Sequence, residues 1–394
     1  MTYNFWLFWR MACRSFFKTN AQTRLTRKRL TFIILFYLVW PIGSLFIWLG
    51  FLLDDIFFPA HKKHPVVKPL FILGNFRSGS TFLHRLLSRD KENFTSLTTF
   101  DIYLTPSVTS KKIMQAVNRI DRLFGSPLKR LALAFDRRSL GQVRIHRISF
   151  FQPEEDENIL MHIWATYFVS FLFPFMDEMP PYQFFDDALS DEQKRRIMAF
   201  YKSMLQRHLY ATGKRHFVAK NPAFSAKIET LSEFFPDARI IYLVRNPLDM
   251  LPSTVSWINY ARRVFTDPPQ PYMYLDEIVG MTRYWYRHPL DYLDSHPSTR
   301  HLILKYEDLM QTPEQVIRDF YRRFGYAEQP WLDRIVAQAV EEALSFQSDH
   351  VYSYEDMGFT REQIVALYED IFTRFKFSRR EPVTLPPKEP APTD

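Results

Sequence analysis

Two arginine-bearing segments carry the residues best suited to gripping an anion. Residues 71–84 read Phe-Ile-Leu-Gly-Asn-Phe-Arg-Ser-Gly-Ser-Thr-Phe-Leu-His. An apolar run, Leu70 to Leu73, leads into this loop, and apolar residues at helical spacing (Phe82, Leu83, Leu86, Leu87) follow it. A strand, a glycine-bearing loop and a helix, in that order, aim backbone N–H groups and the positive end of the helix at a phosphate. The expected ligands are Arg77, Ser78, Gly79, Ser80 and Thr81. The spacing from Gly74 to Gly79 fits the nucleotide P-loop, but Ser80 stands where a lysine would reach the β- and γ-phosphates. That substitution argues against ATP and for a nucleotide with a shorter anionic tail, with Arg77 as the replacement cation.

The second segment, residues 239–257, runs from a buried-strand pattern (Ile240 to Val244) into Arg245, and Ser253 follows on the next helical pattern. An arginine at a strand tip lies where open α/β sheets bind ligands. Its planar fork matches phosphate oxygens, and a serine one or two turns into the helix can hold the same phosphate from the other side. The plainer alternative is an Arg245–Asp249 ion pair with Ser253 as an ordinary helix serine.

Together the two segments resemble the sulfotransferase family. The first looks like that family's loop for the 5′-phosphosulfate of 3′-phosphoadenosine-5′-phosphosulfate (PAPS), and the second like its 3′-phosphate site. Three further stretches are similar to family segments: Phe217-Val218-Ala219-Lys220-Asn221-Pro222, Leu304-Lys305-Tyr306-Glu307-Asp308-Leu309, and Gln152-Pro153-Glu154-Glu155-Asp156-Glu157. The last resembles a stretch of the bacterial, membrane-attached branch related to tyrosylprotein sulfotransferases. The likeness runs from about residue 66 to about 376.

The resemblance implies PAPS as donor and three tasks for side chains. Gly79, Ser80 and Thr81 would hold the 5′-phosphate, and Arg245 with Ser253 the 3′-phosphate. Arg77 and Lys220 would stabilise the departing bridging oxygen. Those cations neutralise the charge that magnesium neutralises in a kinase, so no metal is implied. The third task, deprotonating the acceptor, is the weak point of the match. Cytosolic sulfotransferases place a histidine where this chain has Pro222. Glu155 is the first candidate base; Asp101, at about the distance from Arg77 where related enzymes supply a glutamate, is the rival. A carboxylate needs a raised pKa for this work, and mutual repulsion among Glu154–Glu157 would provide it. The plain alternative is a solvated acidic helix start. His84, His146 and His162 read as structural or surface histidines, and Tyr306, Glu307 and Asp308 as a packing segment.

Net charge is +8 and the pI about 9.3. With no nucleic-acid-binding module in view, this favours an anionic membrane surface as partner over nucleic acid. Residues 30–53 carry no charged side chain, a run longer than the roughly 20 residues that span a bilayer. Arg24, Arg27, Lys28 and Arg29 precede it, which favours a cytoplasmic N-terminus for a transmembrane helix. A simple span would then put the rest of the chain away from cytoplasmic PAPS. Pro41 and Gly43 interrupt the run and allow a hairpin or an interfacial segment instead. In a eukaryotic cell the Golgi lumen would suit a simple span. Residues 3–17, aromatic with interspersed Arg10 and Arg14, suit a helix in the headgroup region. Residues 1–60 thus read as a separable membrane-associated segment, and removing them is expected to leave a soluble domain; the plainer alternative is that both apolar stretches cover a hydrophobic protein surface. The single cysteine, Cys13, allows no internal disulfide and fits a cytoplasmic catalytic part.

Aromatics make up 17% of the chain, enough for a wide apolar pocket or a membrane-facing surface. Strands are expected at Leu70–Gly74, Phe217–Lys220, Ile240–Val244 and His301–Lys305, alternating with helices. Ser190 with Gln193, and Thr360 with Gln363, read as capping boxes. The pattern predicts an α/β, P-loop-type three-layer sandwich with a central parallel sheet. A helical insertion at about 95–190, an N-terminal apolar membrane segment and a disordered proline-rich tail (380–394) complete it. The functional expectation is sulfuryl transfer from PAPS to a hydroxyl of an amphipathic, lipid-like acceptor. The alternatives are a P-loop kinase of a lipid or small molecule, and a non-catalytic nucleotide-binding membrane scaffold.

Overall fold

The structure, a computed structural model, describes residues 3–20, 23–139, 149–213, 216–268, 272–327, 330–345 and 354–380. His146 and nearly all of the predicted tail lie outside the described residues.

Two N-terminal helices, α1 (Phe5–Phe17) and α2 (Arg27–Phe57), precede β1 (Leu70–Gly74) and α3 (Ser80–Leu87). Then come β2 (Phe94–Thr95), α4 (Thr99–Tyr103), α5 (Val108–Leu123) and α6 (Pro127–Ser139). Short turns α7 (Val169–Leu172), α8 (Pro180–Gln183) and α9 (Phe185–Ala188) lead to α10 (Asp191–Thr212). Next are β3 (His216–Lys220), α11 (Ile228–Phe234), β4 (Arg239–Val244), α12 (Pro247–Phe265), α13 (Leu275–Ser295) and β5 (Arg300–Lys305). Five further helices follow: α14 (Tyr306–Gln311), α15 (Pro313–Phe324), α16 (Leu332–Ser345), α17 (Arg361–Leu367) and α18 (Glu369–Phe375).

The strands form one parallel sheet in the order β2-β3-β1-β4-β5. Side chains alternate across it. Phe71, Leu73, Ala219, Tyr242 and Val244 enter one core; Leu70, Ile72, Val218, Ile241 and Leu243 enter the other. Burial on both faces is why β1 and β4 read as unbroken apolar runs. Because β1 lies between β3 and β4, the connections leave it in opposite directions, which opens a crevice at the carboxyl ends of these three strands.

All four expected strands are present, each within a residue or two of its predicted span. The fifth, β2, is only two residues long, too short for any periodicity. Both expected capping boxes form.

The N-terminal segment differs from expectation. α2 runs through Pro41 and Gly43 without a break, so no hairpin turns there. It also packs on the body: Leu7, Phe8, Met11, Ile33 and Phe51 belong to the same core as the sheet. Hydropathy registers that a side chain is apolar but not whether protein or lipid covers it, and that is why the segment read as detachable.

Candidate active site

β1 ends at Gly74, with φ 141°. A Cβ there would lie 2.4 Å from the Leu243 carbonyl oxygen, so only glycine lets the chain turn this close to β4. The Gly74 N–H donates to Ser225 Oγ (3.1 Å), and the Ser225 hydroxyl donates to the Gly74 carbonyl (3.2 Å). The loop is pinned further by Asn75 Nδ2 donating to the Thr282 carbonyl (3.1 Å) and Thr254 Oγ1 to the Phe76 carbonyl (3.2 Å). Phe76 itself is buried against Trp257 and Trp285.

Arg77 adopts φ 64°, a left-handed conformation that costs a non-glycine residue on the order of 1 kcal/mol or more. That strain is held by contacts to the second anion segment. Arg77 Nε donates to Ser253 Oγ at 3.0 Å, and Arg245 Nη1 donates to the Arg77 carbonyl at 2.7 Å. The Arg245 guanidinium lies 4.5 Å from the centroid of the Tyr306 ring. Its hydrogen bond therefore goes to the loop, where the plainer sequence reading had it pairing with Asp249. Ser78 is buried, and its hydroxyl has no protein partner among the described residues. Gly79 caps α3 with φ 85°, and a Cβ there would strike Tyr306 Cδ2 at 2.6 Å. Ser80 opens α3 in a buried position, and Thr81 is half-buried. Tyr306 thus touches both anion segments, a positioning role that the sequence reading had left as packing.

Lys220 ends β3, is 1% exposed, and places Nζ 2.5 Å from Glu155 Oε1. Beside it, Asn221 is fully buried, and neither side-chain amide atom has a protein partner among the described residues. Asn221 joins the candidate residues only with the structure in hand, although its place directly after the strand-end lysine, at the same crevice, is a signal in the sequence.

The acidic run is divided among separate partners, and repulsion is a minor contribution: Glu157 raises the Asp156 pKa, but behind burial. Glu155 holds Lys220, Asp156 accepts from the Tyr201 hydroxyl, and Glu157 is ion-paired with Lys227. A 3-10 helix begins at Asp156, and its turn of three residues sends successive side chains in separate directions. Burial pushes the Asp156 carboxyl up to about 7; the bond from Tyr201 opposes it. Glu155 and Glu157 are buried as well, so the solvated helix start is also set aside.

Asp101 completes the capping box of α4 with Thr98 and is ion-paired with Lys111. Burial acts to raise its pKa, but the Lys111 ammonium, His208 and the bond from Thr98 together hold it below the usual carboxylate range. His84 and His162 are buried and pushed down to about 3 and about 4 by burial, which leaves both neutral. The structure therefore forms one cluster of Arg77, Arg245 and Ser253 and a second of Lys220 and Glu155, on three adjacent strand ends. Asp101 instead bonds Thr98 and Lys111.

These features define a three-layer α/β protein with two arginine-bearing segments in contact at the carboxyl edge of its sheet. The chain belongs to the sulfotransferase family, whose sequence model matches residues 69–330. Among curated proteins it is 26% identical over 324 residues to the omega-hydroxy-beta-dihydromenaquinone-9 sulfotransferases Stf3 of Mycobacterium bovis and Mycobacterium tuberculosis; the match covers 80% of this chain and 76% of theirs. Among solved structures, sulfotransferase STF9 from Mycobacterium avium shares the fold at a TM-score of 0.67 and 18% identity, covering 96% of this chain and 98% of that one. Sulfotransferase STF1 from Mycobacterium tuberculosis does so at 0.61 and 19%, covering 83% of each.

Proposed function

We propose that this sulfotransferase takes its sulfuryl group from PAPS and delivers it to a hydroxyl of an amphipathic lipid at the cytoplasmic face of a membrane. The observation that carries the donor assignment is the direct contact between the two anion segments, Arg77 to Ser253 and Arg245 to Arg77. One doubly phosphorylated adenosine carrier can engage both at once. The unsatisfied Ser78 hydroxyl and Asn221 amide are buried polar groups that a phosphosulfate and its neighbours would satisfy, so the residues present fit the donor.

In this reading Ser78 to Thr81 and the start of α3 hold the 5′-phosphate, while Arg245 and Ser253 hold the 3′-phosphate. Arg77 bridges the two and, with Lys220, faces the bridging oxygen. Transfer breaks the sulfur–oxygen bond to the carrier and forms one to the acceptor oxygen, whose proton passes to Glu155. The Lys220–Glu155 pair keeps the base and the leaving-group cation within one hydrogen bond of each other. Asp101, committed to Lys111 and Thr98, positions α4. The acceptor class follows the Stf3 relatives, named for a hydroxylated menaquinone derivative, and the long exposed apolar helix α2. Both favour a long-chain lipid alcohol.

The test has two arms. Adenosine 3′,5′-bisphosphate should raise the Tm, whereas ATP with magnesium should not; the reverse would install a kinase. Incubating lipid extracts with labelled donor should then label a lipid species, and labelling confined to water-soluble products would remove the lipid acceptor.

A further inference from the structure

Taking the membrane attachment just proposed as its starting point, we infer that the protein sits on one leaflet of an anionic phospholipid bilayer without crossing it. α2 lies in the plane of the membrane, and the α5–α6 pair inserts beside it as a second, basic arm.

The first observation is how α2 is held. At 31 residues it is about 46 Å long at 1.5 Å per residue, and it is fastened to the body from end to end. Near its start, buried Arg29 donates to the Leu172 carbonyl at 2.6 Å, and Phe32 lies against Phe265, with ring centroids 4.7 Å apart. In the middle, Trp40 meets Trp164 edge-on at 6.2 Å. Near its end, Asp54 accepts from Arg207 Nε at 3.0 Å and from the backbone N–H groups of Val108 and Thr109 at 2.9 and 2.7 Å. A helix crossing the bilayer would take this polar body into the hydrocarbon with it or would have to release every one of these contacts. The opposite face, including Leu38, Val39, Ile42, Leu45, Phe46 and Leu49, is exposed. One face bound to protein and one open along the whole length is the geometry of an interfacial helix.

The second observation is the α5–α6 pair, whose first turn is the one capped by Asp54. It exposes Ile120, Leu123, Phe124, Leu128, Leu131 and Phe135. Its exposed charges are all positive: Lys112, Arg119, Arg122, Lys129, Arg130, Arg137 and Arg138. Its only two acids, Asp121 and Asp136, are buried. Asp121 accepts from the N–H groups of Leu128 and Lys129, and Asp136 from Ser149 Oγ and the Phe150 N–H. An apolar surface whose free charges are all positive complements anionic headgroups. The same surface on a second copy would present like charge, which disfavours self-association.

The base of this arm adjoins the helix that precedes it: the Phe150 N–H donates to Asp136 of α6 at 2.8 Å, and the Phe150 carbonyl accepts from the Phe100 N–H of α4 at 2.9 Å.

The experiment uses the full chain with vesicles of phosphatidylglycerol or of phosphatidylcholine. Flotation should occur with phosphatidylglycerol and drop at least tenfold with phosphatidylcholine or in Leu123→Glu/Leu131→Glu. Tm and the affinity for adenosine 3′,5′-bisphosphate should stay unchanged in that variant. Single cysteines at Arg24 and Ala60, in a Cys13→Ser background, should both react with an impermeant maleimide from the same side of sealed membranes. Labelling from opposite sides means a span and overturns the proposal. So does undiminished flotation of the double variant, or its conversion from dimer to monomer in light scattering, which would make this face a contact between copies. Loss of bisphosphate binding in the unaltered chain would count against the donor assignment alone and leave the docking results standing.

Discussion

The Arg77 guanidinium donates to Ser253 Oγ across 3.0 Å, although 176 residues separate the two in sequence. The contact ties the loop after β1 to the helix after β4. Neither anion segment can shift without moving the other, so the spacing between the sites is set before a ligand arrives.

Arg245→Ala should weaken adenosine 3′,5′-bisphosphate about 10- to 100-fold by calorimetry, the range expected for charge-assisted hydrogen bonds of roughly 1.5–3 kcal/mol. Arg245→Lys should recover little of it, because an ammonium lacks the fork that reaches a phosphate and the Arg77 carbonyl together. Unchanged affinity in the alanine variant would remove the 3′-phosphate assignment.

Glu155→Gln should lower kcat by about 10²- to 10⁴-fold, the usual yield of a positioned base, with bisphosphate affinity nearly intact. Asp101→Asn should instead lower the Tm, through the buried Lys111 left without its counter-charge, and spare kcat. If the two variants exchange these behaviours, the base is Asp101.

Asp54→Asn should cost about 1–3 kcal/mol in urea denaturation, because it removes the buried carboxylate paired with Arg207 Nε, leaving that guanidinium only the more exposed Asp55 as counter-charge, and weakens the cap of α5. Deleting residues 1–60 should be more damaging still and yield aggregated protein, as it strips Phe51 and Ile33 from the core. A monodisperse, folded truncation would contradict the docking of α2 described above.

Asp156 provides a pH test. Its carboxyl titrates near 3.8 when unfolded and about 7 when folded. The folded state therefore binds the proton more tightly, and the stability this contributes is complete below about pH 4 and lost as pH rises to about 7. Asp156→Asn should remove that slope, so its Tm relative to the unaltered protein should climb across this window. A constant difference would mean that Asp156 ionises normally.

The glycine loop and the strand-end arginine were legible in the sequence because both act through backbone geometry and local order. Gly74, Gly79 and Arg245 each announce themselves within a few residues. The acidic run was harder. Its four members look equivalent in sequence, yet their partners Lys220, Tyr201 and Lys227 arrive from β3, α10 and the segment before α11, and only the fold assigns them. β2 was missed because two residues carry no period. Pro41 and Gly43 suggested a break that does not occur, because packing along the inner stripe of α2 outweighs the propensity of two residues. The basic arm was not singled out, although residues 108–139 hold eight lysines and arginines against two aspartates; the burial of Asp121 and Asp136 then leaves the exposed charge with one sign.

The sheet and the stretch between β2 and β3 are built from different material. Donor contacts hang from strands buried on both faces, where almost any substitution is costly. Glu155, Asp101 and the basic arm come from short helices and 3-10 turns with no ladder to preserve. On the function proposed above, evolution can thus retool the acceptor side at little risk to the donor site, and a lineage of such enzymes can diversify its alcohols while keeping one common sulfur currency.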